Sequence, residues 1–207
     1  MKTYLFLILN FIFVGVFAQE KKLSTAEIEE FKTFVEEEIE NIQTIDTEFK
    51  QEKHLSFLTS KIESKGKMFV NKQGFLKWEY LTPEKYSIIF KENYIFINDN
   101  GKKSEVNSNQ EIFKELSDLI SGSVSGKLLN NPKFDISYFQ KEEFTLVKLK
   151  PIQKSLQKYI KQVELYFPEN DASVDKVKLI EASKDYTIIN FIHKKINVEI
   201  DSHIFDY

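Results

Sequence analysis

The chain has 207 residues, 29 basic and 32 acidic side chains, a formal net charge of −3 and no cysteine. Every basic residue is Lys, so the guanidinium fork that reads phosphate or guanine is missing, and the net charge has the wrong sign for a nucleic-acid footprint. Nucleic acid is therefore not expected as a partner, and without thiols neither disulfides nor thiolate-bound zinc can stabilise the fold, which must rest on packing.

Residues 1–18 read as a signal peptide. Lys2 precedes an apolar run over 4–17, and Val16 and Ala18 occupy the −3 and −1 positions of a leader-peptidase site. The run is shorter than the roughly 20 residues that cross a bilayer core, and Asn10 interrupts it, which argues against a membrane anchor. Cleavage after Ala18 is expected to release one soluble domain, 19–207, into the periplasm, with no Cys at the junction to accept a lipid. That length suits a single core.

Ser24, Thr25, Ala26 and Glu27 form a capping box, which predicts a helix over 25–42. Ile28, Phe31, Val35, Ile39 and Ile42 recur on one side of it, so this helix must lie on something apolar. From Ile45 the period falls to two. Strands are expected over 44–52, 62–71, 75–81, 85–91, 93–98, 134–140, 143–149, 159–167, 174–182 and 186–193. Gln73-Gly74, Glu92-Asn93, Asn98 to Gly101, Lys141-Glu142 and Pro168 to Asp171 supply the turns.

The meander is expected to break between 99 and 133. There a second capping box, Ser108 to Glu111, opens a helix whose stripe is Ile112, Phe113, Leu116, Leu119 and Ile120, ended by Gly122 to Gly126. Lys127, Leu128 and Leu129 form a further turn before Pro132. Many short strands with tight links and no alternating helices predict a mainly β, α+β protein, a strongly curved antiparallel sheet with two amphipathic helices as a lid on its concave face. The 19 Phe and nine Tyr exceed what a small core needs. A small barrel fills its interior with side chains and a wider one keeps a ligand cavity, and the strand pattern is compatible with both.

Several segments resemble the outer-membrane lipoprotein carrier family. Phe49-Lys50-Gln51-Glu52 is similar to its early F-[TK]-Q strand. Gly66-Lys67-Met68-Phe69-Val70, followed by Phe75-Leu76-Lys77-Trp78-Glu79-Tyr80 and Pro83, resembles its most characteristic segment. Leu149-Lys150-Pro151, the strand Val163 to Phe167 and the closing Ile204-Phe205 fall where the family has matching features. Lys53 to Leu58, Ile97 to Lys102 and Asp185 to Ile189 look like its Bacteroidetes-type branch.

The resemblance implies an incomplete barrel with a helical lid. Its interior would accept the acyl chains of lipoproteins released by an inner-membrane ATP-driven transporter and pass them to an outer-membrane acceptor. By position, Leu76, Trp78, Tyr80 and Ile88 match cavity-lining residues and Leu119 and Ile120 the lid helix; Phe31 and Phe90 join them as apolar neighbours. Where some family members have an Arg that latches the lid, this chain has Lys72-Gln73, and a Lys latch lacks the planar fork. The implied protein is a monomeric carrier without cofactor or catalytic residue. Carriage of free lipid or pigment chains, and a sensor module that binds a partner protein, are the rival readings.

No competing motif is complete. Gly122-Ser123-Val124-Ser125-Gly126 has Val where a hydrolase elbow needs Ser, and the S-x-x-K matches at Ser64 and Ser155 have no companion motifs. His54, His193 and His203 are too scattered for a metal trio, so no metal site is expected. Trp78, the only Trp, reads as core packing on the residues alone, and the resemblance makes it cavity wall.

Overall fold

Alternation of apolar side chains from Thr44 onward obliges the backbone to show one face to a core and the other to solvent, and the chain does this as a long antiparallel meander. A computed structural model describes residues 20–92, 94–107 and 127–207. In chain order the elements are β1 (Lys21–Lys22), α1 (Thr25–Glu40), β2 (Thr44–His54), β3 (Ile62–Asn71), β4 (Leu76–Thr82), β5 (Tyr86–Lys91), β6 (Tyr94–Asp99) and β7 (Lys102–Asn107). They continue with β8 (Phe134–Lys141), β9 (Phe144–Pro151), β10 (Ile160–Pro168), β11 (Lys176–Glu181) and β12 (Tyr186–Ile196). A helical turn, Lys154–Gln157, and two 3-10 turns, Lys127–Asn130 and Ser202–Phe205, punctuate them.

All the strands form one sheet in the order β1-β8-β9-β10-β11-β12-β2-β3-β4-β5-β6-β7, and every neighbouring pair is antiparallel. Laid flat, twelve strands would span about 50 Å, too wide to share one core. Yet Ile95 of β6, near one edge, and Tyr138 of β8, near the other, belong to the same buried cluster. The sheet is therefore strongly curved around that cluster and left open between β7 and β1, an incomplete barrel.

Helix α1 crosses the concave face, as its stripe requires. Val35 is fully buried, and Phe31 sets its ring edge-on to Phe167 at 5.2 Å and to Tyr138 at 6.2 Å. The capping box is formed: the Ser24 N–H donates to Glu27 Oε2 at 2.7 Å and the Glu27 N–H to Ser24 Oγ at 3.4 Å. The helix stops at Glu40, short of the expected 42. The Asn197 side chain, 156 residues away in sequence from Asn41, donates to the Asn41 carbonyl at 2.9 Å and accepts from the Gln43 N–H at 2.6 Å, turning the chain into β2. The 3-10 turn Lys127–Asn130 lies on the same face, with Leu128 and Leu129 buried and the Leu129 carbonyl accepting from the Tyr138 hydroxyl at 2.9 Å.

Two strands stand where none was expected. Asn100 and Gly101, with φ of 48° and 92°, make a tight left-handed turn that folds Lys102–Asn107 back on β6, so the meander does not break at 99. Lys21–Lys22 pairs with β8 at the opposite edge. Both additions are edge strands rich in Lys, which show no apolar alternation because one side of each faces water. The expected helix after Ser108, including Leu119 and Ile120, lies outside the described residues.

The convex face is not uniformly solvated. Phe75 and Phe205 rings meet at 6.1 Å, Phe96 and Tyr207 at 4.8 Å, and Lys91 Nζ lies 3.8 Å from Asp206, so the last residues of the chain lie across the outside of β4 to β6. Ile89, paired with Lys77 and Phe96 on that side, is 4% exposed.

Candidate functional site

The concave face of β4 and β5 carries an aromatic and aliphatic wall whose members are cross-strand partners. Leu76 stands opposite Phe90, Trp78 opposite Ile88, and Tyr80 opposite Tyr86. Such pairs on one face are where a sheet gains side-chain packing. Leu76 is 0%, Trp78 6% and Phe90 8% exposed, while Tyr80, Tyr86 and Ile88 are half-buried. The row thus grades from a sealed end at Leu76 and Phe90 to a more open end at Tyr80 and Tyr86.

Phe49 of β2 completes the wall. Its ring lies 4.2 Å from Trp78 and edge-on to Tyr80 at 5.3 Å, and the ring of its cross-strand partner Phe191 is 6.2 Å from Trp78. The Phe49 ring can lie there because Gly66, its partner on β3, has no side chain. A Cβ at that position would stand 2.0 Å from the Glu79 carbonyl oxygen and 2.5 Å from the ring. Glycine inside a strand marks such a close approach.

Polar atoms are few on this wall. The Tyr80 hydroxyl donates to Gln51 Oε1 at 3.0 Å, and burial pushes its phenol above the ordinary tyrosine range, so it stays protonated at neutral pH. The Trp78 indole Nε1 is buried with no hydrogen-bond acceptor among the described residues. The Tyr80 phenol oxygen is near enough for the indole to favour its charged form, but the pair lacks hydrogen-bond geometry. A separate pocket of about 250 Å³ opens at the strand ends beside Tyr80 and Tyr86, among Glu79, Ser87 and Asn98 of the opposite face with Lys85 and Gly101.

The residues singled out in the sequence fall into three places. Leu76, Trp78, Tyr80, Ile88 and Phe90 come together on the β4–β5 wall. Phe31 lies apart from them, on α1 over β8 and β10. Lys72 is exposed in the turn between β3 and β4, where the Asn71 side chain accepts from the Phe75 N–H at 3.0 Å, and it makes no ion pair with a described residue. Phe49, Gln51 and Tyr86 were not singled out as site residues. Their signals were present, since Phe49 shares the period-two face of β2 and Gly66 interrupts an otherwise bulky strand.

The three histidines engage separate partners: His54 stacks on Tyr186 at 4.3 Å, His193 Nδ1 is 3.2 Å from Glu48, and His203 Nδ1 is 2.8 Å from Asp206. No group of three or more His, Cys, Asp or Glu side chains able to hold a metal occurs among the described residues. No helix among them is long and apolar enough to cross a membrane.

An open, curved antiparallel sheet with a helix across its apolar concave face defines a class of half-barrel proteins suited to holding apolar groups. The chain belongs to one family of that class, Outer membrane lipoprotein carrier protein LolA, whose model matches residues 40–207. Among solved structures, MucB superposes with a TM-score of 0.50 at 10% identity, covering 89% of this chain and 64% of that one. A LolA superfamily protein from Nitrosomonas europaea gives 0.47 at 8% identity, covering 85% and 97%. The Mycobacterium tuberculosis lipoprotein LppX gives 0.47 at 9% identity, covering 86% and 99%. No curated protein sequence matches this one.

Proposed function

We propose that this chain is a non-enzymatic periplasmic carrier that binds the acyl chains of lipoproteins on its concave face and ferries them from the inner to the outer membrane. The observation behind the reading is the wall of Leu76, Trp78, Tyr80, Ile88 and Phe90 on adjacent strands, packed into one apolar cluster with Val35 of the amphipathic helix α1. Membership of the lipoprotein carrier family supports it. The mature protein begins at Gln19, after removal of residues 1–18, and works as a monomer. It takes acylated lipoproteins from an ATP-driven inner-membrane transporter and yields them to an outer-membrane acceptor.

Displacement drives the cycle. Each methylene moved from water into the barrel is worth roughly 0.8 kcal/mol, so a dozen methylenes supply about 10 kcal/mol. That is enough to displace apolar side chains that otherwise fill the concave face, Phe31 of α1 among them. Release requires an acceptor that binds the chains better still. Lys72 serves as a weak latch, an ammonium bonding a carbonyl without a fork.

Native mass spectrometry of protein purified from its own periplasm tests the reading. The expected species is a protein beginning at Gln19 with a diacylated or triacylated peptide bound. A free lipid or pigment would redirect the function to lipid carriage. An empty protein that also fails to bind lipopeptide would point to a module that recognises a partner protein instead.

A further inference from the structure

Trp78 holds a buried polar atom on the wall that no described neighbour uses. Its side chain is more than nine-tenths buried, its cross-strand partners Met68 and Ile88 are apolar, and Phe49 and Phe191 flank the ring. The indole N–H nevertheless finds no acceptor among the described residues. A buried donor without a partner is uncommon, because its lost hydration goes unreplaced, and it calls for a reason. A phenylalanine would have covered the same apolar area without that penalty.

We propose that the Trp78 indole N–H is a binding subsite for a neutral carbonyl oxygen of the cargo, the ester or amide carbonyl at the head of an acyl chain. The inference rests on the acyl-carrier reading and adds to it a fixed point of attachment. Indole is a donor only, so the subsite selects an acceptor. Its neighbours select a neutral one, since the described side chains packed on Trp78, Met68, Ile88, Phe49 and Phe191, carry no positive charge and a buried carboxylate beside them would lie unpaired. The Tyr80 hydroxyl does not compete for the same oxygen, because its proton is already donated to Gln51.

The subsite also orients the cargo. Toward Leu76 and Phe90 the wall is apolar and closed, and toward Tyr80 and Tyr86 it is only half-buried and carries phenol hydroxyls. A carbonyl held at Trp78 therefore sends its hydrocarbon tail toward Leu76 and leaves its polar head on the side of Tyr80 and Tyr86. A plain alkane would have no such preferred direction.

Trp78 is the only Trp in the chain, so its indole N–H gives a single resonance in a nitrogen–proton correlation spectrum. The exported protein is titrated with 1-palmitoylglycerol and with its ether analogue 1-O-hexadecylglycerol, which has the same chain and head but no carbonyl. The ester is expected to move the indole proton downfield and to bind about five- to tenfold more tightly than the ether, the range of one neutral hydrogen bond. In Trp78→Phe the preference is expected to disappear while both ligands still bind. The wild-type comparison stands alone should that variant fold poorly. Equal affinities with an unmoved indole resonance would overturn the subsite and leave the carrier intact. If neither ligand binds, the carrier reading falls and takes the subsite with it.

Discussion

Replacing Gly66 by Ala sets a methyl group against two immovable neighbours. The new Cβ would lie 2.0 Å from the backbone oxygen of Glu79 and 2.5 and 2.7 Å from two carbons of the Phe49 ring. Unstrained carbon contacts begin near 3.5 Å, so β3 and β4 would have to part, or the ring to retreat, by about 1 Å or more. Overpacking of this kind costs about 1–3 kcal/mol, and weakening a ladder hydrogen bond near Gly66 and Tyr80 adds about 1 kcal/mol. A total near 3 kcal/mol in a domain of this size lowers Tm by roughly 6–12 °C. Thermal unfolding followed by circular dichroism measures the loss. The emission of Trp78 reports the local cause, because the displaced ring is the one lying 4.2 Å from it. Phe49→Ala in the same background removes the ring contact but not the carbonyl contact, so the double variant should be more stable than the sum of the single losses predicts. A Gly66→Ala protein that melts within about 2 °C of wild type with unchanged emission would refute this account of the β2–β4 wall.

Three other substitutions divide the wall from the sealed core. Leu76→Glu should lower Tm by at least about 10 °C, since an unpaired carboxylate at a fully enclosed position costs several kcal/mol. Ile89→Glu should be similarly harmful, because the C-terminal residues cover that convex position. Ile88→Glu, half-buried on the concave face, should keep the fold and lose lipopeptide binding, measured by displacement of a fluorescent apolar dye; unchanged binding would remove Ile88 from the wall. Alkaline pH supplies a further check. Burial pushes the Tyr138 phenol up from 10.0 to about 12, and burial followed by the bond to Glu164 raises Tyr166 further. The folded state therefore holds these protons more tightly than the unfolded chain. Their stabilisation is complete below about pH 10 and lost as pH rises through 12. Denaturant melts between pH 8 and 12 should weaken from about pH 10, and phenolate absorbance should show Tyr138 and Tyr166 titrating latest, beyond Tyr80, Tyr86 and Tyr207, which are also raised. Uniform titration near pH 10 would contradict the burial of both rings.

Local chemistry was legible in the chain before any contact was known. Ser24 and Glu27 start α1 because a capping box involves residues three apart, and Asn100-Gly101 and Lys141-Glu142 mark turns because φ there is positive at Asn100, Gly101 and Glu142. Leu76, Trp78 and Tyr80 share a face by the period of a strand alone. Other features depend on residues far apart in sequence. The end of α1 is set by Asn197, and Phe49 lies over Trp78 only because Gly66 on a third strand leaves room. β1 and β7 carry charged sequences and become strands through the partners that meet them. Ile89 lies on the convex side of β5, and its burial comes from neighbours in space rather than from its place in the strand. Sequence by itself determined the antiparallel meander, its turns and the inward row of β4, since hydrogen bonding and alternation act within a few residues. Only the tertiary structure decided which strands close the edges, which convex side chains are buried and which donor on the wall lacks a partner, because burial belongs to a residue's neighbours in space.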